Sequence, residues 1–353
     1  MARDIIIGDI HGCFDELLQL LDAMAVTDDD RLISVGDLVD RGPQSAEVWE
    51  FFRDRPGAVV LMGNHERKHV RGVLTYAQQI VELQLGERYP EFRAWAATLP
   101  YYHELPEVLV VHGGFEDGVP LASQREDVLA GTTAGARYLE HLHPGRYWTE
   151  VYSGTKPIVF GHHVVGDRVQ TWSDRVWGID TGACHGGYLS ALVLPGFEVH
   201  QVKARHDHWQ QQRQAWQLPV LRSRPWADYT FERLERELAG LRRREHPDVL
   251  AFRRGLEAWV AQARELVPAL LQRVAARTLE LEPCLRDRSR RGEVAREPAA
   301  ALLFACHAGT LGAQTIEGHL PRPMAIVEAA RAYGIDTQHV EAPWERPLAG
   351  GAA

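Results

Sequence analysis

The chain reads as an α/β protein with a layered core and, after it, an all-helical C-terminal region. Short runs of branched apolar residues recur through the first 200 positions, and several are apolar throughout rather than alternating. That is the mark of strands buried on both faces. Between the early runs, apolar residues recur at spacings of three and four, the period of a helix with one buried face.

Residues 5–7 form the first strand. Phe14, Leu17, Leu18, Leu21 and Met24 then mark one face of a helix. Residues 32–35, 59–62, 108–111 and 158–160 are further strands, and strands that alternate with helices predict parallel pairing. Residues 169–172, 176–179, 188–194 and 197–202 follow more closely, which predicts hairpins and a second sheet rather than one long parallel one. The expected first domain therefore spans residues 1–203.

Residues 204–228 are polar and Gln-rich, carry Pro219 and Pro225, and read as a connector. Residues 229–335 read as a helical accessory domain. Leu256, Trp259, Val260, Ala263, Leu266, Val267, Leu270, Leu271 and Val274 form one apolar stripe, which Pro268 is expected to interrupt because it lacks an N–H and crowds the preceding turn. A basic break is expected at 286–296, with short helices near 299–312 and 324–333. Residues 336–353 read as a tail, loose after Pro343.

Composition narrows the class. Apolar residues make up 45% of 353, enough for a real core. No run of eighteen apolar residues is present, so no spanning helix is expected. The chain enters a strand within a few residues, which argues against a secretory signal. Its four cysteines show no C-x-x-C spacing, so a reducing, cytoplasmic setting is expected and a cysteine–zinc site is not. Residues 1–204 carry 17 Lys and Arg against 29 Asp and Glu, a balance of −12, whereas residues 205–335 carry 21 against 16, a balance of +5. The basic region is either a solvated helical surface or an attraction for an anionic partner.

The strand ends carry the chemistry. The first five strands run into GDIHG (8–12), GDLVDRG (36–42), GNHE (63–66), HGG (112–114) and GHH (161–163). The C-terminal edge of an open α/β sheet is where ligands bind. Asp9, His11, Asp37, Asn64, His112 and His162 are oxygen and imidazole donors with no thiolate among them, a set that suits Mn²⁺, Fe or Zn²⁺. Six donors exceed one tetrahedral site, and a carboxylate such as Asp37 can bridge two ions. Two-metal sites of this kind serve in-line displacement at phosphorus. Arg41 has the planar fork that suits phosphate oxygens.

In order and spacing, the series GDIHG…GDLVDRG…GNHE…HGG…GH resembles the calcineurin-like metallophosphoesterases of the phosphoprotein phosphatase type, over roughly residues 1–203. The resemblance implies a β-sandwich flanked by helices and two divalent cations, Mn²⁺ foremost. By position it implies one metal at Asp9, His11 and Asp37, and a second at Asp37, Asn64, His112 and His162. It implies that His65 protonates the leaving oxygen, that Asp40 holds the His65 ring, and that Arg41 binds phosphate. Residues 146–163 resemble bacterial members in which an upstream arginine adds a phosphate contact; Arg146 is the candidate and Arg137 the alternative. Residues 178–195 resemble the closing motif, in which Asp180 supports the metal ligands by hydrogen bonds.

Two departures stand out. His163-Val164 occupy the place of a Thr-Pro pair common among relatives, so His163 is either a substrate contact or a tolerated change. The symmetrical diadenosine tetraphosphatases typically lack the acid equivalent to Asp40 and carry Asp in place of Glu66, which points toward the broader bacterial group. The expected activity is hydrolysis of phosphate monoesters, of phosphoproteins or small molecules, by a hydroxide bridging the two metals. The alternatives are hydrolysis of nucleotides or dinucleoside polyphosphates, RNA-end dephosphorylation, and a non-catalytic scaffold that retains the fold. The expected partner is a phosphorylated substrate and not a membrane. Trp209, Trp216 and Trp226, with nearby arginines, either stack nucleic-acid bases or pack the connector.

Overall fold

Ile5, Ile6 and Ile7 are all fully buried, because the two faces of their strand meet different layers. Ile5 and Ile7 belong to a core shared with helices, while Ile6 belongs to the apolar layer shared by two sheets. The computed structural model describes residues 3–242, 244 and 246–345. Its strands are β1 (Asp4–Ile7), β2 (Arg31–Ser34), β3 (Val59–Val60), β4 (Tyr102–Glu104), β5 (Leu109–Val111), β6 (Ile158–Phe160), β7 (Gln170–Trp172), β8 (Val176–Gly178), β9 (Tyr188–Leu194) and β10 (Glu198–Lys203).

The first sheet has the order β10-β9-β1-β2-β3 and the second β4-β5-β6-β8-β7. Strands β1, β2 and β3 pair in parallel, as do β5, β6 and β8. Of the later strands, β7 and β8 form a hairpin of the second sheet. The β9–β10 hairpin joins the first sheet, antiparallel to β1 with Ile6 opposite Leu192. The later strands are thus divided between the sheets. Strand β4 had no sequence signal: Tyr-His-Glu does not alternate, and it pairs antiparallel at the edge of β5.

Ile6, Ile33 and Leu192 of the first sheet meet Val110 and Val159 of the second in the central layer. The helices Phe14–Ala23, Ser45–Asp54 and Tyr89–Ala96 cover the outer face of the first sheet through Leu17, Trp49 and Phe92. Leu139 and Trp148 cover the outer face of the second. Both sets of parallel strands therefore direct their C-terminal loops from a rigid, doubly covered framework.

By compactness the chain divides into two units, Met1–Trp216 and Gln217–Ala353. The stretch read as a connector is mostly helical, with helices His208–Ala215 and Gln217–Arg222. Trp226 is buried in the second unit's core with Leu256, Trp259, Leu270 and Val274. The long stripe breaks at Leu266, between helices Pro247–Glu265 and Val267–Glu280. Pro268 sits in the first turn of the latter, where its missing N–H has no partner to lose. The expected basic break contains the short helix Arg291–Val294. Of the expected tail, residues 346–353 lie outside the described residues, whereas Trp344 packs edge-on against Trp259 with ring centroids 4.8 Å apart. Among the described residues, no helix is long and apolar enough to cross a membrane.

Candidate metal centre

The loops after the parallel strands bend sharply into one another. His11, Asp37, Asp40, Arg41 and His162 all have positive φ, between 47° and 73°. A non-glycine residue there costs on the order of 1–2 kcal/mol, and such strain gathers at functional sites. Two motif glycines have a steric reason. A Cβ at Gly63 would stand 2.1 Å from Asp37 Oδ1, and one at Gly161 2.0 Å from Asp9 Oδ1. Each carboxylate seats directly against a neighbouring loop that only glycine permits.

Five of the six candidate donors, His11, Asp37, Asn64, His112 and His162, come together, whereas Asp9 joins neither cluster of ligand atoms and meets the centre at the His162 backbone. Asp37 lies between two groups, with Oδ2 3.6 Å from His11 Nε2 and Oδ1 3.4 Å from His112 Nε2. Asn64 Oδ1 is 3.2 Å from His112 Nε2 and 3.0 Å from His162 Nδ1. The Asp9 carboxylate accepts the His162 backbone N–H at 3.0 Å. Asp37, His112 and His162 form one cluster of ligand atoms within 4.8 Å of one another, and His11, Asp37 and His65 form another.

The residues fit divalent cations. His11 Nδ1–H donates to the carbonyl of Val39 at 2.9 Å, and His112 Nδ1–H to that of Val35 at 3.0 Å. Both rings thereby carry their lone pair on Nε2, the atom that faces Asp37, and Arg41 meets that of His11. Burial holds His11 and His112 below the usual imidazole range and His162 at about 3, so the rings are neutral, as ligation requires. Burial, then Asp180 and Asp37, pushes Asp9 well above the ordinary carboxylate value. Burial pushes Asp37 the same way, but His112, His65 and His11 more than offset it, and its carboxyl lies below the usual range. Buried carboxylates crowded in this way call for positive charge.

The remaining candidates fall into two sets. Beside the centre, His65 Nδ1–H donates to Asp40 Oδ2 at 2.5 Å. Arg41 reaches His11 Nε2 and His65 Nε2, each at 3.0 Å. Asp180 accepts from the Gly182 N–H at 3.0 Å and acts on Asp9 through its charge; burial raises its own pKa to about 6. Farther out, Arg137, Arg146, Tyr147 and His163 line a cavity of about 440 Å³ that includes His162. Arg146 is exposed and donates to the Glu150 carbonyl at 2.9 Å, and the His163 ring lies 5.2 Å from that of Tyr147.

Sequence reasoning missed three groups. His69 Nε2 holds Asp40 Oδ1 at 3.1 Å, and its Nδ1 meets Tyr89 Oη at 2.9 Å. Buried Gln78 donates to Asp40 as well. His69 lies one turn beyond His65 in the helix Asn64–Val70, the one signal available. Glu66 joins two loops: Oε2 accepts from the N–H of Asp37 at 2.9 Å and Oε1 from that of Leu38 at 2.9 Å. Burial, with the Asp37 charge next, raises Glu66 to about 8. A second cavity, of about 540 Å³, also reaches His162 and is lined by Asn64, Arg67, Lys68 and Arg71.

The family of calcineurin-like phosphoesterases matches residues 3–181. The asymmetrical bis(5′-nucleosyl)-tetraphosphatase PrpE of Halalkalibacterium halodurans is 32% identical over 231 residues, which cover 57% of this chain and 93% of that one. The Bacillus subtilis PrpE is 32% identical over 233 residues, covering 57% and 94%. A solved metallophosphoesterase from Sphaerobacter thermophilus is 18% identical and superimposes with a TM-score of 0.38 over 62% of this chain and 97% of its own. A match across half the chain, over the loops that gather these donors, makes the protein a member of the calcineurin-like phosphoesterases and a metal-dependent hydrolase of phosphate esters.

Proposed function

We propose that the protein cleaves a nucleotide-type polyphosphate in the cytoplasm, with a dinucleoside polyphosphate as the substrate class. The observation that carries this reading is the pair of cavities meeting at His162. One is lined by Tyr147, Trp148 and Leu139 together with Arg137 and Arg146, and the other by Arg67, Lys68 and Arg71 with Asp127 beside them. A planar base suits the first and a phosphate chain the second. A phosphoprotein or small monoester would leave one of them without a role. The name of the PrpE relatives supports the same class.

Asp9, His11 and Asp37 would hold one divalent cation, and Asp37, Asn64, His112 and His162 the other. Mn²⁺ suits the oxygen-rich set best, with Fe or Zn²⁺ as alternatives. When bound, the pair supplies Lewis-acid charge to the phosphoryl oxygens and an acidified water as nucleophile. The protein's own groups do the rest. With Arg41 turned from His65 Nε2 to the phosphoryl oxygens, protonated His65 would deliver a proton from Nε2 to the leaving oxygen while Asp40 grips Nδ1 and fixes the ring. Arg41, close to both rings, neutralises charge that builds on the phosphoryl oxygens. Asp180 braces its own turn through the Gly182 N–H and adds negative charge beside Asp9. Arg146 and His163 line the cavity that includes His162, which supports a role for them in contacting the distal part of a substrate.

The test is a substrate panel with the Mn²⁺-loaded enzyme. Dinucleoside tetraphosphate should give a higher kcat/KM than p-nitrophenyl phosphate, a phosphopeptide or an RNA 2′,3′-cyclic end. A phosphopeptide at the head of the panel would return the reading to a phosphoprotein phosphatase.

A further inference from the structure

Cys13, Glu16 and His208 form a cluster that the proposed hydrolysis does not use. Cys13 precedes the first turn of the helix Phe14–Ala23 and Glu16 lies within that turn, so both side chains gather at one helix start. His208 opens the helix His208–Ala215 in the same unit. One donor atom from each residue lies within 4.8 Å of the other two. Cys13 and Glu16 are fully buried, and His208 is 8% exposed.

Their hydrogen bonding is incomplete. Glu16 Oε1 accepts from His208 Nε2 at 2.9 Å and from the Arg205 N–H at 3.2 Å. Glu16 Oε2 has no hydrogen-bond partner, although it is shut away from water. The Cys13 thiol makes a long contact, 3.7 Å, to the His11 carbonyl. A buried carboxylate oxygen without a donor is costly, and a cation bound beside it would relieve that cost.

We propose that Cys13, Glu16 and His208 form a zinc site with one open position, distinct from the two-metal centre. A thiolate, an imidazole and a carboxylate are zinc ligands, and three of them leave a fourth position for water. Two ligand charges neutralise the dication, which removes the cost of its burial. Donors around a tetrahedral zinc stand roughly 3.4–3.6 Å apart, so closure asks for shifts of about 1 Å. The ion replaces the proton that His208 Nε2 shares with Glu16, the ring keeping its hydrogen on Nδ1, and displaces the thiol proton of Cys13, so uptake releases acid. Bound there, it fastens the helix that continues from the Asp9–His11 loop to the last helix of the first unit. Cysteine spacing gave no sign of it, since 192 positions separate Glu16 from His208.

Thiolate ligation gives the test its signature, because the two-metal centre has no sulfur donor. The full-length protein, stripped of metal, is titrated with Co²⁺. A thiolate-to-cobalt band should grow in the near ultraviolet and level off, within three equivalents of added cobalt, at the intensity of one thiolate-bound ion per chain. It should vanish in Cys13→Ser, weaken in His208→Ala and persist in Cys184→Ser. Elemental analysis should find one zinc fewer per chain in Cys13→Ser than in the wild type. Cobalt uptake without a thiolate band, or a band that survives Cys13→Ser, overturns the proposal. If Cys13→Ser does not fold, the wild-type titration and Glu16→Gln decide: an unchanged band in Glu16→Gln overturns the three-ligand site.

Discussion

Asp40 stands between two imidazoles, with His65 Nδ1 2.5 Å from one oxygen and His69 Nε2 3.1 Å from the other. Burial pushes its pKa up, but the His69 and His65 rings together more than offset that and leave it below the usual carboxylate range. The carboxylate is thus held ionised in a site with no exposure to water. Asp40→Asn would present an amide hydrogen to one of two rings that both need an acceptor. It should keep its metal, by elemental analysis, and lose about 10²-fold in kcat on substrates with basic leaving groups.

His65→Ala separates acid catalysis from positioning. It should lose about 10²–10⁴-fold where the leaving oxygen needs a proton. Esters with strongly acidic leaving groups should lose far less. Equal losses on both would mean that His65 acts by orienting the substrate.

Asp37→Ala removes the one carboxylate with an oxygen facing each side, 3.6 Å from His11 Nε2 and 3.4 Å from His112 Nε2. Metal content and turnover should fall together. Asp9→Ala should keep one ion, because the set of Asp37, Asn64, His112 and His162 stays complete. A mutant lacking Asp37 that still holds two ions per chain would refute the bridge.

Much of this was legible because it is local. An apolar run ending on Asp-x-His exposes both the strand and its donors, and Ile5–Ile7 with Asp9 and His11 show how. Gly63 and Gly161 were visible as glycines, but not as the seats of Asp37 and Asp9. The grip of His69 and Gln78 on Asp40 was illegible, since it depends on how the helices Asn64–Val70 and Tyr76–Leu85 pack. The same holds for β9 and β10: a hairpin can be read from spacing, but the sheet it joins depends on which apolar face pairs Leu192 with Ile6.

Arg3 and Asp30 predict an acid-sensitive joint. The carboxylate accepts from Arg3 Nη2 at 2.6 Å and from the Thr27 N–H at 3.0 Å. The Arg3 hydrogen bond holds Asp30 well below its ordinary value of 3.8. A depressed carboxylate pKa contributes stability that is complete above the unfolded value and lost as the pH falls below it. Asp30→Asn should therefore have a lower Tm than wild type near neutrality, and the gap should close below about pH 4. A gap that stays constant into acid would show that the pair contributes through packing rather than charge.

Lys68 and Arg71 test the division of labour between the two cavities. Both line the basic cavity beside Asn64 and His162, and neither is among the candidate metal ligands. A phosphate chain extending from the centre would lie in their field, whereas p-nitrophenyl phosphate is too short to do so. Each contact is partly solvent-screened and worth about 0.5–1 kcal/mol. Lys68→Ala and Arg71→Ala should therefore each raise KM for dinucleoside tetraphosphate about two- to five-fold. The kcat on that substrate and both constants for p-nitrophenyl phosphate should stay close to wild type. Salt offers an independent check, because added ions screen exposed charges over about 10 Å at 0.1 M. Wild-type KM for the tetraphosphate should climb with ionic strength, and the climb should flatten in the double mutant. If KM for both substrates moved equally, the cations would be acting on the metal centre as a whole. The polyphosphate chain would then have to lie elsewhere, with Arg137 and Arg146 of the other cavity as the next residues to replace.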